Sequence, residues 1–298
     1  EGRTGLMALI SLGVSLANIA FNYILIAEMK LGVAGSAYGT VAAQTLALSV
    51  LLAFRFYGRT ELRPAALFRY NPFAGWTRIL VLGAPQSLSF IGVGLVSATV
   101  IAMLQLVGGD SYTITVTAYG IITRIMTFVF LPLLGLNLAM QSIVGNNFGA
   151  GQQQRSDDSL RLGIAMAFAY CLAAQIVLTT QARSIGLAFV ADEGVADEVA
   201  RILPVMVALY LLSGPLLMIA GYFQATGNAL QAALLSLPKP YLFAMPLVVL
   251  LALAVGEQGI WLAMPAAESL LLAVAITVLF SASRKKGLSW GLFQVAQR

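Results

Sequence analysis

Long apolar runs separated by short polar stretches dominate the chain. Five windows contain no Asp, Glu, Lys or Arg: 4–27, 31–54, 79–109, 162–182 and 202–238. Each exceeds the roughly 18–20 residues that cross a hydrocarbon core of about 30 Å. The pattern predicts an all-α integral membrane protein with eight transmembrane helices at 6–29, 33–55, 77–107, 112–138, 160–181, 200–225, 230–255 and 258–282. A transmembrane barrel is excluded because the runs are apolar on all faces and lack period-two alternation.

Composition agrees with a membrane protein and excludes several kinds of chemistry. Of the 298 residues, 59% are hydrophobic and 10% are charged, whereas soluble domains carry about 25% charged residues. The absence of histidine removes the Ser-His-Asp triad and histidine-ligated metals. The single cysteine, Cys171, excludes an internal disulfide framework. We therefore predict no enzymatic activity, no metal and no cofactor.

Basic residues are distributed unequally between the two sides of the predicted helices. One side, which holds both termini, has thirteen of them: Arg3, Arg55, Arg59, Arg63, Arg69, Arg78, Arg155, Arg161, Lys239, Arg284, Lys285, Lys286 and Arg298. The other side has Lys30, Arg183 and Arg201. The positive-inside rule predicts a multi-pass protein of the inner (plasma) membrane with cytoplasmic termini. The net charge of +5 thus reflects topology and contact with membrane lipid rather than nucleic acid.

Two stretches repeat at an offset of 224 residues. Aligning 32–48 with 256–272 gives six identities in seventeen positions, and Gln44 matches the isosteric Glu268. Repeated bundles around a midplane site are typical of secondary transporters. The second copy ends the chain, but the first begins only one helix after its start. We therefore expect several helices to be missing before the first copy.

Six motifs, in order, resemble the multidrug and toxic compound extrusion (MATE) transporters. They are Asn18-Ile-Ala-Phe-Asn22, Gly32-Val-Ala-Gly35, Ala118-Tyr-Gly-Ile-Ile-Thr-Arg124, Gln141-Ser-Ile-Val-Gly145-Asn-Asn-Phe-Gly149, Phe223-Gln224-Ala-Thr-Gly227 and Gly256-Glu-Gln-Gly259-Ile-Trp261. The resemblance implies a fold of twelve helices in two six-helix lobes, of which this chain holds the last eight. Residues 1–55 would be the last hairpin of the N-lobe, 56–76 the cytoplasmic linker, 77–283 a complete C-lobe, and 284–298 a cytoplasmic tail.

The resemblance also implies a function. We expect multidrug efflux by secondary active antiport, in which a monomer exports small cationic, amphiphilic compounds in exchange for H⁺, and we expect the fragment alone to be inactive. A flippase for lipid-linked oligosaccharides and a non-transporting membrane scaffold remain as alternatives. A flippase for such lipids requires several cationic residues in its cavity, and only Arg124 is available for that role.

Candidate coupling residues lie on three predicted helices. Asn18 and Asn22 share one helix face, as do Thr40 and Gln44 on the next helix. The resemblance matches Asn18, Asn22 and Thr40 to a cation site of the proton-coupled, DinF-like branch, which often has Asp where this chain has Asn22. These residues could equally be interhelical hydrogen-bond partners. Na⁺ coupling is disfavoured, because the helices at 77–107 and 200–225 lack the acidic residues of the NorM-like branch.

Two charged residues interrupt otherwise uncharged spans. Glu268 is a further coupling candidate, because burial disfavours the charged form of a carboxylate and so favours proton uptake. Arg124 is the one arginine inside a span and either faces a cavity or pairs with Glu268. Candidate substrate-cavity residues, which share a polar side chain in an apolar helix, are Gln86, Tyr119, Arg124, Gln141 and Gln224. We expect Lys239, between two prolines, to lie at the cytoplasmic headgroups.

Overall fold

The computed structural model describes residues 4–57, 75–286 and 292, and within them every regular element is a helix. Eleven α-helices are present: α1 Thr4–Tyr23, α2 Gly32–Tyr57, α3 Trp76–Val107, α4 Tyr112–Gly149, α5 Gln153–Thr180, α6 Ala182–Phe189, α7 Glu193–Met206, α8 Tyr210–Ala225, α9 Ala229–Ser236, α10 Met245–Val255 and α11 Glu257–Lys286. Two π-helical segments, Ile24–Glu28 and Lys239–Ala244, and one 3₁₀ turn, Gly109–Ser111, extend or join them. The fold is that of an all-α membrane protein, as predicted.

Seven of the described helices or continuous helical segments are long and apolar enough to cross a membrane. An eighth span results if α7 and α8 count as one, although they meet at an angle of 52°. The predicted number of eight is therefore correct only with this bent pair. This pair was predicted as one continuous helix, 200–225. That prediction is wrong, because the helix begins at Glu193 and is interrupted after Met206.

A side chain from a neighbouring helix stabilises the break between α7 and α8. Gln175 on α5 donates from Nε2 to the carbonyl of Ala208 at 2.8 Å, and its Oε1 accepts from the amide of Leu211 at 2.9 Å. In a continuous helix these two backbone groups would bond within the helix. Because lipid offers no hydrogen bonds, a broken helix needs such partners from the protein.

Two helices are longer than predicted. The helix predicted to end at 138 continues to Gly149, and the one predicted to begin at 160 starts at Gln153. Hydropathy locates the apolar part of a helix, but polar residues at its ends also adopt helical structure. The intervening turn contains Gly151 with a positive φ of 73°, which glycine adopts at little cost. The short helix α6 was not predicted.

The chain divides into two compact units, 1–76 and 77–298. Most of the predicted linker at 56–76 and of the tail at 284–298 lies outside the described residues. The first unit is the antiparallel hairpin of α1 and α2. In the second, buried side chains form two main hydrophobic clusters, one where α4 meets α7 and α11, the other where α4 and α5 meet α8.

The two hairpins that contain the sequence repeat pack alike within their own units. A Cβ added to Gly35 would meet the carbonyl oxygen of Leu25, and one added to Gly259 would meet that of Leu251. The buried residues of α2 are Gly35, Gly39 and Ala43, and the residues aligned with the last two, 263 and 267, are buried alanines. Small residues let helix backbones approach closely. The packing supports the internal repeat.

Candidate functional site

Glu268 lies in the interior of the second unit with two polar partners. It is the twelfth residue of α11, about 16 Å along the helix from its start, and its side chain is 6% exposed. Ser213 on α8 donates a hydrogen bond to Oε1 at 2.9 Å. The ammonium of Lys239 forms an ion pair with Oε2. The partner of Glu268 is therefore Lys239 and not Arg124.

The predicted position of Lys239 is wrong. The residue lies within the candidate span 229–255, ten residues after Ala229, and not at the start of a helix beside the headgroups. It opens the π-helical segment Lys239–Ala244 and stands between Pro238 and Pro240, neither of which has an amide donor. The sequence feature that could have predicted this ion pair is the presence of a lysine and a glutamate on consecutive predicted spans.

Two further titratable side chains lie near the ion pair. The thiol of Cys171 on α5 is fully buried and close enough to interact electrostatically with both Glu268 and Lys239. Tyr210 at the start of α8 also lies near Glu268, and its hydroxyl is buried without a hydrogen-bond partner among the described residues. The interior of this unit thus holds a cluster of one carboxylate, one ammonium, two hydroxyls and one thiol.

A second polar cluster lies in the first unit. Asn22 donates from Nδ2 to Oδ1 of Asn18 at 3.1 Å, and Asn18 donates to Oγ1 of Thr40 at 3.4 Å. In the part of the chain that the structure describes, Oδ1 of Asn22 is buried without a hydrogen-bond partner, and it faces Gly39 so closely that a Cβ there would overlap it. Three of the four predicted residues are thus brought together. Gln44 is exposed and forms no side-chain hydrogen bond among the described residues.

Arg124 lies on an exposed polar stripe of α4. Thr113, Thr117, Gly120, Arg124 and Thr127 are all exposed and follow one another at intervals of four and three residues, which places them on one helix face. Within the described residues, Arg124 forms no ion pair or side-chain hydrogen bond. Because a charge facing lipid is costly, this face suits a water-filled pathway better than hydrocarbon.

The remaining substrate-cavity candidates lie in different surroundings. Tyr119 is buried in the hydrophobic core, where its hydroxyl donates to Oγ of Ser97 at 3.3 Å and its ring lies 5.8 Å from that of Trp261. Gln224 donates to the carbonyl of Leu82 at 3.3 Å. These two side chains already have partners inside the unit.

The other two substrate-cavity candidates, Gln141 and Gln86, lie in different surroundings from Tyr119 and Gln224. Within the described ranges, Nε2 of Gln141 is buried without a hydrogen-bond partner, as is Oδ1 of Asn137 one helical turn earlier. Both atoms lie beside Gly221, whose missing side chain leaves room for them. Gln86 is half-buried on α3 and has no side-chain hydrogen bond among the described residues. Asn137 was not among the predicted residues, although it is polar, 1% exposed and within an apolar helix.

At the end of the second unit away from its predicted cytoplasmic side, charged groups join three helices. Arg201 on α7 pairs with Glu198 and with Glu257, the first residue of α11. Thr115 on α4 donates to Glu198 at 2.9 Å, and Trp261 donates to Glu257 at 3.2 Å. An open cavity of about 570 Å³ lies beside this network. The network holds the ends of α4, α7 and α11 together.

A separate ion pair joins α6 to α7 at the surface. Arg183 donates from Nε to Asp197 at 2.6 Å and from Nη2 to Glu193 at 3.4 Å. The hydrogen bond and the charge of Asp197 raise the pKa of the Arg183 guanidinium. All three groups are exposed, so the interaction orients the short helix α6 and adds little stability.

Comparison with known proteins identifies the family. The family model described as MatE matches residues 85–250. The chain is 24% identical over 272 residues to Protein DETOXIFICATION 53 of Arabidopsis thaliana, covering 90% of this chain and 55% of that protein. It is 25% identical over 259 residues to the probable multidrug resistance protein YoeA of Bacillus subtilis, covering 84% and 55% respectively.

The fold is also similar to that of solved structures. A crystal structure of MATE in complex with MaL6 matches with a TM-score of 0.80 and 20% identity, covering 93% of this chain and 62% of that one. The chain spans about half the length of these two curated relatives. With a family model that covers more than half of its residues and the fold of MATE transporters, the chain belongs to the MatE family of multidrug and toxin extrusion transporters.

Proposed function

We propose that the whole protein exports small, cationic, amphiphilic compounds by secondary active antiport in exchange for protons. The observation that supports proton exchange is Glu268, a carboxylate buried near the middle of a spanning helix. A buried carboxylate is a group that can bind one proton and release it again when the exposure of the site changes. Relatives are named as multidrug resistance or extrusion proteins, which supports the substrate class.

The composition of the helices favours protons over Na⁺ as the coupling ion. In α3 and α8 there is no Asp or Glu. In α7 the acidic residues lie in the first half of the helix, where Glu198 pairs with Arg201. The Asn18, Asn22 and Thr40 cluster offers only neutral oxygen atoms, and hard cations prefer sites that include carboxylates. In the proposal this cluster assists coupling, and Glu268 holds the proton.

The polar stripe around Arg124 provides the surface for the transport pathway. Its hydroxyl groups and charge face outward from the second unit, whereas Tyr119 and Gln224 face inward. Transport would require alternating access by two repeated bundles, of which the chain holds one and part of the other. We infer a monomer in the inner membrane with cytoplasmic termini, in agreement with the distribution of basic residues.

Transport in everted membrane vesicles tests the proposal. Vesicles that contain the full-length protein are acidified inside by respiration, and an ethidium-type cation is then added. The proposal predicts partial collapse of the pH gradient with the wild-type protein and none with Glu268→Gln. Glu193→Gln, which removes an exposed carboxylate at the start of α7, is the matched control and should behave as wild type. A response that requires Na⁺, or full activity of Glu268→Gln, would refute proton coupling through Glu268.

A further inference from the structure

The ion pair between Lys239 and Glu268 is unequally exposed. The Glu268 side chain is 6% exposed and the Lys239 side chain 36%. Burying an ionised carboxylate is costly unless a charge or hydrogen bonds compensate it. Here Lys239 and Ser213 provide both. The more accessible partner of the pair is therefore the cation.

The backbone around Lys239 is suited to movement of its side chain. Pro238 and Pro240 provide no amide donors, and the segment that begins at Lys239 is π-helical. π-helical segments inside α-helices are frequently functional. On the opposite side the segment is anchored to α3, because the Tyr241 hydroxyl donates to the carbonyl of Leu88 at 2.8 Å. Lys239 can thus shift while the rest of the segment stays attached.

No other charged group near Glu268 can replace Lys239 among the residues that the structure describes. On α8 the nearby groups are Ser213 and Tyr210, and on α5 the nearby group is Cys171. Helices α9 and α10 contain no charged residue. On α7, Glu198 and Arg201 belong to the network at Glu257.

We propose that Lys239 is a tethered cation that competes with the coupling proton for Glu268. Without the proton, the pair has no net charge. When a proton from water binds a carboxylate oxygen of Glu268, the lysine keeps its charge and the site becomes positive by one unit. A site with net positive charge repels an organic cation. Proton binding and substrate binding are thereby mutually unfavourable, as exchange requires, even where the two do not share a position. The lysine makes the protonated site positive instead of neutral, so that the site repels the organic cation. This inference rests on the proposed function.

The first test is the pH dependence of binding. Binding of tetraphenylphosphonium to the purified full-length protein is measured between pH 5 and 10. Lys239→Gln should raise the pH midpoint of tetraphenylphosphonium binding by about one unit or more. The reason is that an opposite charge within 4–6 Å changes the proton affinity of a carboxylate by that amount. Lys239→Arg, which preserves the charge, should keep the midpoint. Lys30→Gln, on an exposed connecting turn, is the matched control.

A second comparison remains valid if Lys239→Gln fails to fold. In Glu268→Gln the lysine charge is uncompensated, whereas the double variant Glu268→Gln/Lys239→Gln is neutral. The double variant should bind tetraphenylphosphonium about tenfold more tightly than Glu268→Gln, as expected for one charge at about 10 Å and an effective dielectric near 20. Equal affinities, or a Lys239→Arg midpoint shifted as far as that of Lys239→Gln, would overturn the inference. If wild-type transport shows no response to a pH gradient, the proposed function itself fails.

Discussion

The amide of Gln175 bridges the break between α7 and α8, and replacing it should destabilise the second unit. Its two hydrogen bonds satisfy the carbonyl of Ala208 and the amide of Leu211 at 2.8 and 2.9 Å. Gln175→Leu keeps most of the side-chain volume and leaves both backbone groups without these partners. Leu211 is half-buried, and Ala208, although exposed, lies at the break of a candidate membrane span, where lipid offers no hydrogen bonds to replace those of Gln175.

The size of this effect follows from the two lost hydrogen bonds. A backbone group left unsatisfied in a buried position costs about 1–3 kcal/mol, so two groups predict a loss of about 2–4 kcal/mol after partial relaxation. Gln175→Glu keeps the acceptor for Leu211, but its carboxylate loses the donor to Ala208 and adds a charge that faces the Ala208 carbonyl in a half-buried position. It should therefore destabilise the unit at least as much as Gln175→Leu.

Reversible unfolding of the purified full-length protein in mixed micelles measures these differences. Gln181→Leu is the control, because Gln181 is exposed and takes part only in backbone hydrogen bonds among the described residues. It should change stability by less than about 0.5 kcal/mol. If Gln175→Leu is as stable as the control, the two contacts do not stabilise the break, and the reasoning is wrong.

Two further substitutions test packing and charge at other positions. Gly39→Ala places a Cβ on Oδ1 of Asn22 and should lower the free energy of unfolding by about 1–3 kcal/mol. Gly13 has open space around it, so Gly13→Ala should show no such loss in the same thermal unfolding assay. Arg201→Gln leaves two largely buried carboxylates without their guanidinium and should lower the unfolding temperature. The exposed pair of Arg183 provides its control, because Arg183→Gln should leave that temperature nearly unchanged. Equal effects of Arg201→Gln and Arg183→Gln would contradict the assigned role of the Arg201 network.

Hydropathy predicted most of the spans because the bilayer requires about 20 apolar residues in each. It failed where the structure depends on residues far apart in sequence. The interruption after Met206 is stabilised by Gln175, more than 30 residues earlier, and nothing in the local pattern indicates that contact. The predicted end of α4 is wrong because polar residues after 138 continue the helix beyond its apolar part.

Among the candidate residues, too, contacts within one helix were predictable from the sequence, and contacts between distant residues were not. Asn18 and Asn22 were predicted to share a face because they are four residues apart, and the structure joins them to Thr40. Lys239 was assigned to the headgroups because its two flanking prolines indicated an irregular helix start. In a membrane helix the same prolines are tolerated within a π-helical segment. The side chain of Lys239 then reaches Glu268, which is 29 residues away and on a different helix.

Proton release on substrate binding tests the central claim most directly. The full-length protein is held in weakly buffered detergent solution with a pH indicator at a series of pH values, and tetraphenylphosphonium is added at each. The account predicts release of up to about one proton per bound cation from the wild-type protein, and none from Glu268→Gln. Equal release from both proteins, or cation binding without release by the wild type across the whole pH range, would contradict it.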